Sequence, residues 1–348
     1  DIGNGNRPLI KDPQYIKDAD YVVMESTYGD KEHETPPDYA VALAGVLKDT
    51  FTRGGNLVIP AFSVGRTQEM LYFIRRIKTE HLLPEFENFP VFVDSPLAVE
   101  ATHVFKQNLL RCYDEETREL VESGINPIEF PGLKVTVTSD ESKAINFDSR
   151  PKVIISASGM CDAGRIRHHL KHNLWRAEST IVFVGFQAIG TLGRSLLEGT
   201  KTVKLFGESI TVNANIVRLH GISGHADQAG LLRWLSAFEQ KPKRVFVVHG
   251  EASVCDSFAA LLQDQGYDAL APNLQASFDL ATNTCLETGV LPEPKKVKET
   301  TRVSGVFQRL VNAGQRLMAV IRHNEGGANK DLAKFADQIN SLCDKWDR

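Results

Sequence analysis

Short apolar runs rich in Val and Ile alternate with amphipathic helical patterns along most of the chain. The runs cover residues 21–25, 57–60, 91–93, 153–155, 181–184 and 245–248. Strands that are apolar on both faces belong in a sheet that helices cover on both sides. The pattern therefore predicts an α/β fold.

Three of the predicted strands run through a loop of small residues directly into a predicted helix. The loops are Ala61-Phe-Ser-Val-Gly-Arg66, the segment from Ser156-Ala-Ser-Gly-Met160 to Gly164-Arg165, and Ile222-Ser-Gly-His-Ala-Asp227. Such loops leave backbone N–H groups free at a helix N-terminus, where an anion is favoured. They predict a polyanionic substrate, although each loop taken singly is equally consistent with a plain helix cap.

The pattern changes after about residue 290. The stretch Pro292-Glu-Pro-Lys-Lys-Val-Lys298 is typical of a linker, and residues 302–348 read as two helices divided at Asn324-Glu-Gly-Gly327. We expect a helical tail that packs on the body or mediates self-association into a homo-oligomer.

Composition restricts the possible function classes. The 348 residues are 42% hydrophobic and 24% charged, with a formal net charge of -4, so nucleic-acid binding through bulk charge is not expected and any such binding must lie in a cleft. The five scattered cysteines contain no C-x-x-C pair, which favours reduced structural thiols. No apolar run approaches the ~20 residues of a membrane span and residues 1–7 do not resemble a signal peptide, so we expect a cytoplasmic protein without a membrane partner.

The candidate chemistry lies where strands end. His225 stands in Ser-Gly-His-Ala-Asp, His249 closes an apolar run and precedes Gly250, and Glu25 ends its own run in Met24-Glu-Ser-Thr-Tyr-Gly29. Each alone could be an ordinary core or surface residue. Together they predict titratable groups gathered along one edge of a sheet.

The ordered motifs Asp-Ile-Gly, Glu-Ser-Thr-Tyr-Gly, Ser-Gly-His-Ala-Asp and His-Gly-Glu resemble the β-CASP branch of the metallo-β-lactamase superfamily, over about residues 1–290. Residues 60–69, 93–98, 158–160 and 190–194 resemble the inserted domain of that family. The resemblance implies a partial αββα sandwich interrupted by an α/β β-CASP domain. Residues 1–29 and 213–290 would form the metallo-β-lactamase segments, 30–212 the insert, and 291–348 the linker and tail.

The resemblance also implies the roles of individual residues. Asp1 resembles the carboxylate that bridges two zinc ions, and His249 resembles the last histidine ligand of the second zinc. Glu25 and His225 resemble the pair beside the metals, in which Glu25 orients a proton-donating His225. The implied activity is zinc-dependent hydrolysis of single-stranded RNA, with the small-residue loops as its phosphate-binding wall. The residues predicted for that wall are Ser63, Arg66, Ser158, Gly159, Arg165, Ser223 and Gly224.

Three alternatives stay open. The family's His-x-His-x-Asp-His cluster does not occur in this sequence, so we expect that most zinc ligands are absent and that the chain is an inactive fragment of a ribonuclease. A DNA nuclease is a second possibility, although a histidine at position 249 favours RNA within the family. A non-catalytic scaffold that binds RNA is the third.

One histidine cluster stands outside these motifs. In Arg167-His168-His169-Leu-Lys171-His172 the spacing places His168 and His172 one helical turn apart. A third metal ligand is not evident nearby. A solvated surface and a basic face that contacts phosphate are the interpretations that the sequence favours.

Overall fold

A computed structural model describes residues 1–219, 222–291, 305–326 and 329–346. They divide into two compact units, residues 1–291 and 292–348. The predicted linker at 292–298 lies outside the described residues. Among the described residues no helix is both long and apolar enough to cross a membrane.

The strands follow the predicted apolar runs, with further short strands between them. They are β1 (Tyr21–Glu25), β2 (Leu57–Pro60), β3 (Val91–Asp94), β4 (Leu133–Val135), β5 (Val153–Ser156), β6 (Thr180–Phe183), β7 (Thr202–Leu205), β8 (Glu208–Thr211), β9 (Asn215–Arg218), β10 (Arg244–Val248), β11 (Ala269–Leu270), β12 (Ser277–Asp279) and β13 (Thr284–Glu287).

The helices fill the intervals between the strands. They are α1 (Tyr39–Thr52), α2 (Arg66–Thr79), α3 (Pro96–Gln107), α4 (Leu109–Cys112), α5 (Glu115–Glu122), α6 (Ser139–Phe147), α7 (Ile166–Asn173), α8 (Leu192–Leu197), α9 (Gln228–Ser236), α10 (Ala252–Asp264), α11 (Gly305–His323) and α12 (Asn329–Trp346), with a 3₁₀ turn at Pro84–Phe86. The division of the tail into α11 and α12 confirms the two predicted helices.

Two parallel sheets position the site. A six-stranded sheet has the order β4-β3-β5-β2-β6-β9, and a three-stranded sheet has the order β1-β10-β11. In the larger sheet β2, β3, β5 and β6 are buried along their whole length, as their unbroken apolar runs predict. β9 pairs with β6, so this sheet extends to residue 218, beyond position 212 where the insert was predicted to end.

Each sheet has its own core. One face of the larger sheet packs against α1 and α2 through residues such as Leu43, Leu47 and Ile74, and the other face packs against α7 through Ile166 and Leu170. The smaller sheet packs against α9 and α10 around Leu231 and Phe258. Because the strands within each sheet are parallel, the carboxyl ends of its strands meet at one edge, where loops are free to carry function.

Candidate active site

A cavity of about 630 Å³ lies at the carboxyl ends of β1 and β10. These neighbouring strands are in register, with Glu25 opposite Val248, so the residues that follow them reach the same place. Both charged or polar groups and apolar groups line it. The lining residues are Asp1, Arg7, Ile10, Thr27, Phe62, Val64, Gly65, Arg66, Glu69, Met160, Gly185, Phe186, Ala188, Ser223, Gly224, His225, His249, Gly250 and Glu251.

The buried Glu25 pairs with the partly exposed His225. The Oε2 atom of Glu25 lies 2.7 Å from Nδ1 of His225, and its Oε1 atom accepts from the backbone N–H groups of Ile2 (2.7 Å) and Gly3 (3.3 Å). Burial alone would raise the pKa of Glu25, but the hydrogen bond and charge of His225 and the two N–H donors outweigh it and lower the pKa to about 2. Glu25 is therefore a carboxylate at neutral pH.

The ionised carboxylate fixes the tautomer of His225. A carboxylate only accepts hydrogen bonds, so Nδ1 of His225 must carry a proton, and Nε2 is the nitrogen left for the cavity. The loop around His225 is held as well: its backbone N–H donates to Ser223 Oγ (3.1 Å), and its carbonyl oxygen lies 3.0 Å from His33 Nε2. This histidine is oriented before any ligand arrives.

His249 is held by Thr27 at the end of β10. It has a φ of 53°, a left-handed conformation that is uncommon outside glycine and recurs at functional sites. The Oγ1 atom of Thr27 donates to the His249 carbonyl oxygen (3.1 Å) and lies 3.1 Å from its Nδ1. Since the one hydroxyl proton goes to the carbonyl, Nδ1 donates to Thr27, which leaves the lone pair on Nε2.

The four titratable groups come together within bonding reach of a metal ion. Asp1, Glu25, His225 and His249 each offer a ligand atom within 4.8 Å of the others, and the rings of the two histidines are 5.2 Å apart. Nitrogen and carboxylate oxygen are the donors that zinc accepts. Because Glu25 is engaged with His225 and the backbone, Asp1 and His249 fit a metal best.

Two arginines share one carboxylate on another wall of the cavity. Both Arg7 and Arg66 form ion pairs with Glu69, and Arg7 also donates to the Ser223 carbonyl oxygen (3.0 Å). Burial lowers the pKa of Arg7 to about 10 and lowers that of Arg66 well below its usual range, with the charge of Arg7 adding to the effect on Arg66. One positive charge therefore stays uncompensated within this trio, beside the histidines.

The residues predicted for a phosphate-binding wall separate into two groups. Arg66, Ser223 and Gly224 line the cavity, whereas Ser63, Ser158, Gly159 and Arg165 do not. Arg165 instead pairs with Asp94 (2.8 Å) and borders a separate cavity of about 300 Å³. The N-terminus of α9 behind the Ser223 loop is capped by Asp227, which accepts from the Gly230 N–H at 2.8 Å, so at this helix the cap interpretation fits.

Comparison with known proteins agrees with this geometry. A β-CASP domain matches residues 67–196, and a Zn-dependent metallo-hydrolase RNA specificity domain matches residues 209–272. Ribonuclease TTHA0252 of Thermus thermophilus is 36% identical over 77% of this chain and 60% of its own length. The chain belongs to the β-CASP family of the metallo-β-lactamase superfamily. The predicted fold, a metallo-β-lactamase-type α/β architecture with an inserted β-CASP domain, is confirmed.

Other β-CASP relatives match a comparable region. An RNase J-like protein of Methanocaldococcus jannaschii is 32% identical over 74% of this chain and 59% of its own length. Transcription termination factor FttA of Methanosarcina mazei is 32% identical over 69% of this chain and 38% of its own length. The chain thus spans three fifths or less of each of these relatives.

Three residues that line the cavity were not predicted from the sequence. Thr27 lies inside the Glu-Ser-Thr-Tyr-Gly motif, where its position two residues after Glu25 could have indicated it. Arg7 and Glu69 are 62 residues apart and meet only through the tertiary fold, so no local pattern points to their ion pair.

Proposed function

We propose that this chain carries acid–base and metal-binding groups of a zinc-dependent hydrolase that cleaves phosphodiester bonds in single-stranded RNA. The observation that carries the proposal is the Glu25–His225 pair facing Asp1 and His249 across a few ångströms of one cavity. The match to a Zn-dependent metallo-hydrolase RNA specificity domain supports zinc as the metal and RNA as the substrate.

Asp1 and His249 would hold zinc, with two ions in the complete centre, and zinc when bound lowers the pKa of a water ligand toward ~7 and neutralises the scissile phosphate. The thiol-free donor set and the Thr27 hydrogen bond to His249 suit this role, since a hydrogen bond to the second ring nitrogen fixes a metal-binding imidazole.

His225 supplies the proton that the leaving oxygen needs. In its imidazolium form it carries protons on both nitrogens, and the ionised Glu25 beside Nδ1 stabilises that positive charge. As the P–O bond breaks, the Nε2 proton passes to the departing oxygen. Afterwards Nδ1 stays protonated against Glu25, and Nε2 is free to collect the next proton.

The cavity lining supports a single-stranded substrate. Arg7 and Arg66 together carry one more positive charge than Glu69 neutralises, and this net charge attracts a phosphate. Ser223 and Gly224 line the same cavity. Among the apolar lining residues, Phe62 is 46% exposed and Val64 is 64% exposed, and they offer bases an apolar surface on which to stack. A single strand presents both phosphate and unpaired base faces, whereas a duplex keeps its bases covered.

The test compares two histidine variants of the protein in a form that carries the complete zinc centre. His249→Ala removes an imidazole ligand, so zinc content by mass spectrometry should fall along with RNA cleavage. His225→Ala should keep its zinc and lose about 10²–10⁴ in rate, because it lacks only the positioned acid. The loss should shrink on a nitrophenyl phosphodiester, whose leaving group departs without a proton.

His103→Ala, an exposed histidine of α3 outside the cavity, serves as the matched control and should change neither zinc content nor rate. Loss of zinc in His225→Ala, or no recovery on the activated substrate, would remove the proton-donor role. Equal cleavage of single-stranded DNA and RNA would contradict RNA as the preferred substrate.

A further inference from the structure

A groove runs between α6 and α7, away from the cavity that holds His225. Both helices turn a stripe of polar side chains toward it, at the spacing of three and four residues that normally packs one helix on another. The lining residues are Ser139, Ser142, Lys143, Asn146 and Phe147 of α6 with Arg165, His168 and His172 at α7. We call this the α6–α7 groove; its volume is about 300 Å³.

Part of the lining holds the helices in place, since Ser142 and Arg165 bond to Asp94, whereas Lys143, His168 and His172 are not needed for that. α6 is anchored in the core by Ile145, and α7 is anchored by Ile166 and Leu170, all of which are buried in one cluster on the sheet. Lys143, His168 and His172 are exposed. The groove therefore remains open between two helices that are already fixed, along about 12 Å of α6.

Each acidic group around the groove has a partner, and two of these partners, Arg165 for Asp94 and Lys143 for Asp140, belong to the groove lining. Asp94 is fully buried beneath it, and Glu141 accepts backbone N–H bonds in the capping box of α6. Glu208 pairs with Lys171 (2.6 Å), and the exposed Asp140 lies 3.0 Å from Lys143. Among the residues that the structure describes, no carboxylate lines the groove itself.

The two groove histidines stand in a positive field. Burial lowers the pKa of both His168 and His172, and the charges of His169 and Lys171 lower both further. Arg167 adds to the effect on His168, which Asp94 opposes, and His168 adds to the effect on His172. His168 is also oriented, because its ring stacks on Phe206 at a centroid distance of 4.3 Å. An anion in the groove would relieve this field.

We propose that the α6–α7 groove is a second binding site for single-stranded nucleic acid, in which Lys143, His168 and His172 contact a backbone phosphate and Phe147 stacks against a base. Phe147 is the most exposed large apolar residue of α6, at 84%, and a bare aromatic face beside basic groups is the combination that single strands recognise. The site is separate from the hydrolytic cavity and does not depend on its activity.

The test titrates the whole chain, in EDTA, with a 2′-O-methyl hexauridylate that lacks terminal phosphates. Ring signals of His168 and His172 in NMR spectra should shift on binding. The double variant Lys143→Gln/His172→Gln should bind about three- to tenfold more weakly, and its plot of log affinity against log salt should flatten by about 0.7 for each phosphate that the variant no longer neutralises. Phe147→Ala should weaken binding without changing that slope.

Lys201→Gln removes a charge from an exposed lysine outside the groove and should leave affinity and slope unchanged. Unmoved histidine signals with unchanged affinity in the groove variants would overturn the proposal. Uridine 5′-monophosphate is the second probe: if it moved the histidine signals as strongly as the hexanucleotide at equal concentration, the site would be one for terminal phosphates, which would overturn the backbone assignment.

The pH dependence provides an independent readout. A bound phosphodiester favours protonated His168 and His172, so the complex holds more protons than the free protein and affinity should rise as the pH falls from 7.5 to 5.5. Arg165, Arg167, Lys143, Lys171 and the buried Asp94–His169 pair face the same histidines. The rise should be about three- to tenfold and should be absent from His168→Gln/His172→Gln; a rise of equal size in that variant would place the titrating groups elsewhere.

Discussion

Arg66 illustrates how burial changes the value of a charge. Its side chain is only 8% exposed, it shares Glu69 with Arg7, and its pKa is lowered chiefly by burial. Glu69 neutralises only one of the two guanidinium charges, so a second anion would neutralise the other. A substrate phosphate beside the trio would therefore relieve the repulsion between the two buried guanidinium groups.

We therefore predict that Arg66→Gln weakens binding of single-stranded RNA by about tenfold, whereas Arg66→Lys keeps part of the affinity because a lysine retains charge without the two-pronged contact. Fluorescence anisotropy at several salt concentrations would measure both affinity and its salt slope. Arg233→Gln, an exposed arginine of α9, is the matched control. If Arg66→Gln left the RNA affinity and its salt slope unchanged, the loop would serve only to start α2 and would not bind phosphate.

Residues that act through their own strand end were predictable, and residues that act through distant partners were not. Glu25 ends β1 and His249 follows β10, and these parallel neighbours bring the two positions together, whereas His225 lies in the loop before α9 and was indicated by its Ser-Gly-His-Ala-Asp motif. Arg165 follows the same loop pattern, yet its guanidinium turns to Asp94 and to the carbonyl oxygens of Thr136 and Val137. The loop motif does not encode which buried acid lies within reach.

At the scale of elements, Asp94 joins three of them. It ends β3, accepts from Thr136 and Ser142 around the start of α6, and pairs with Arg165 and His169 at α7. Burial would raise the pKa of Asp94, but these hydrogen bonds and the charge of His169 lower it below its ordinary value. The carboxylate is thus the point at which a strand and two helices are tied together.

Asp94→Asn should destabilise the chain by on the order of 3 kcal/mol, because it leaves buried donors and a positive charge without their acceptor. Urea unfolding measures the loss. The wild-type contribution should be present above the ordinary carboxyl pKa of ~3.9 and should disappear only as the pH falls through the lowered one.

His169→Gln and the double variant Asp94→Asn/His169→Gln complete a mutant cycle for this pair. We expect the double variant to lose less stability than the sum of the two single losses. Once Asp94 has been replaced, His169 has already lost its carboxylate partner, so replacing it costs less. Strict additivity would show that the two side chains do not act as a unit.

Elements were predictable where they are apolar on both faces. The long buried strands β2, β3 and β5 appear as unbroken apolar runs, and the split between α11 and α12 follows its glycines. By contrast, β8 is mostly exposed and β9 is partly exposed, so neither carries an apolar run from which a strand could be predicted. β8 forms by pairing with β7, and β9 forms by pairing with β6. Both pairings depend on the tertiary fold.

At the scale of the whole molecule, the second unit lacks a core of its own among the residues described. α12 contains no buried residue, although apolar side chains recur along it at alternating spacings of three and four. Leu332, Phe335, Ile339, Leu342 and Trp346 form this stripe, and Leu342 and Trp346 are 55% and 75% exposed. Such a stripe is the seam of a coiled coil and needs a facing helix to be stable in water.

We predict that the facing helix is α12 of a second copy of the chain. Ile339→Glu places a charge in the seam and should lower the molar mass measured by light scattering from an oligomer to a monomer, with a loss of helical circular dichroism. Gln338→Glu adds the same charge beside the seam and should leave both signals unchanged.

Residues 1–291 have separate buried cores, so a chain ending at residue 291 should be monomeric and keep the unfolding transition of the body. A wild-type chain that is monomeric at micromolar concentration would contradict self-association through α12.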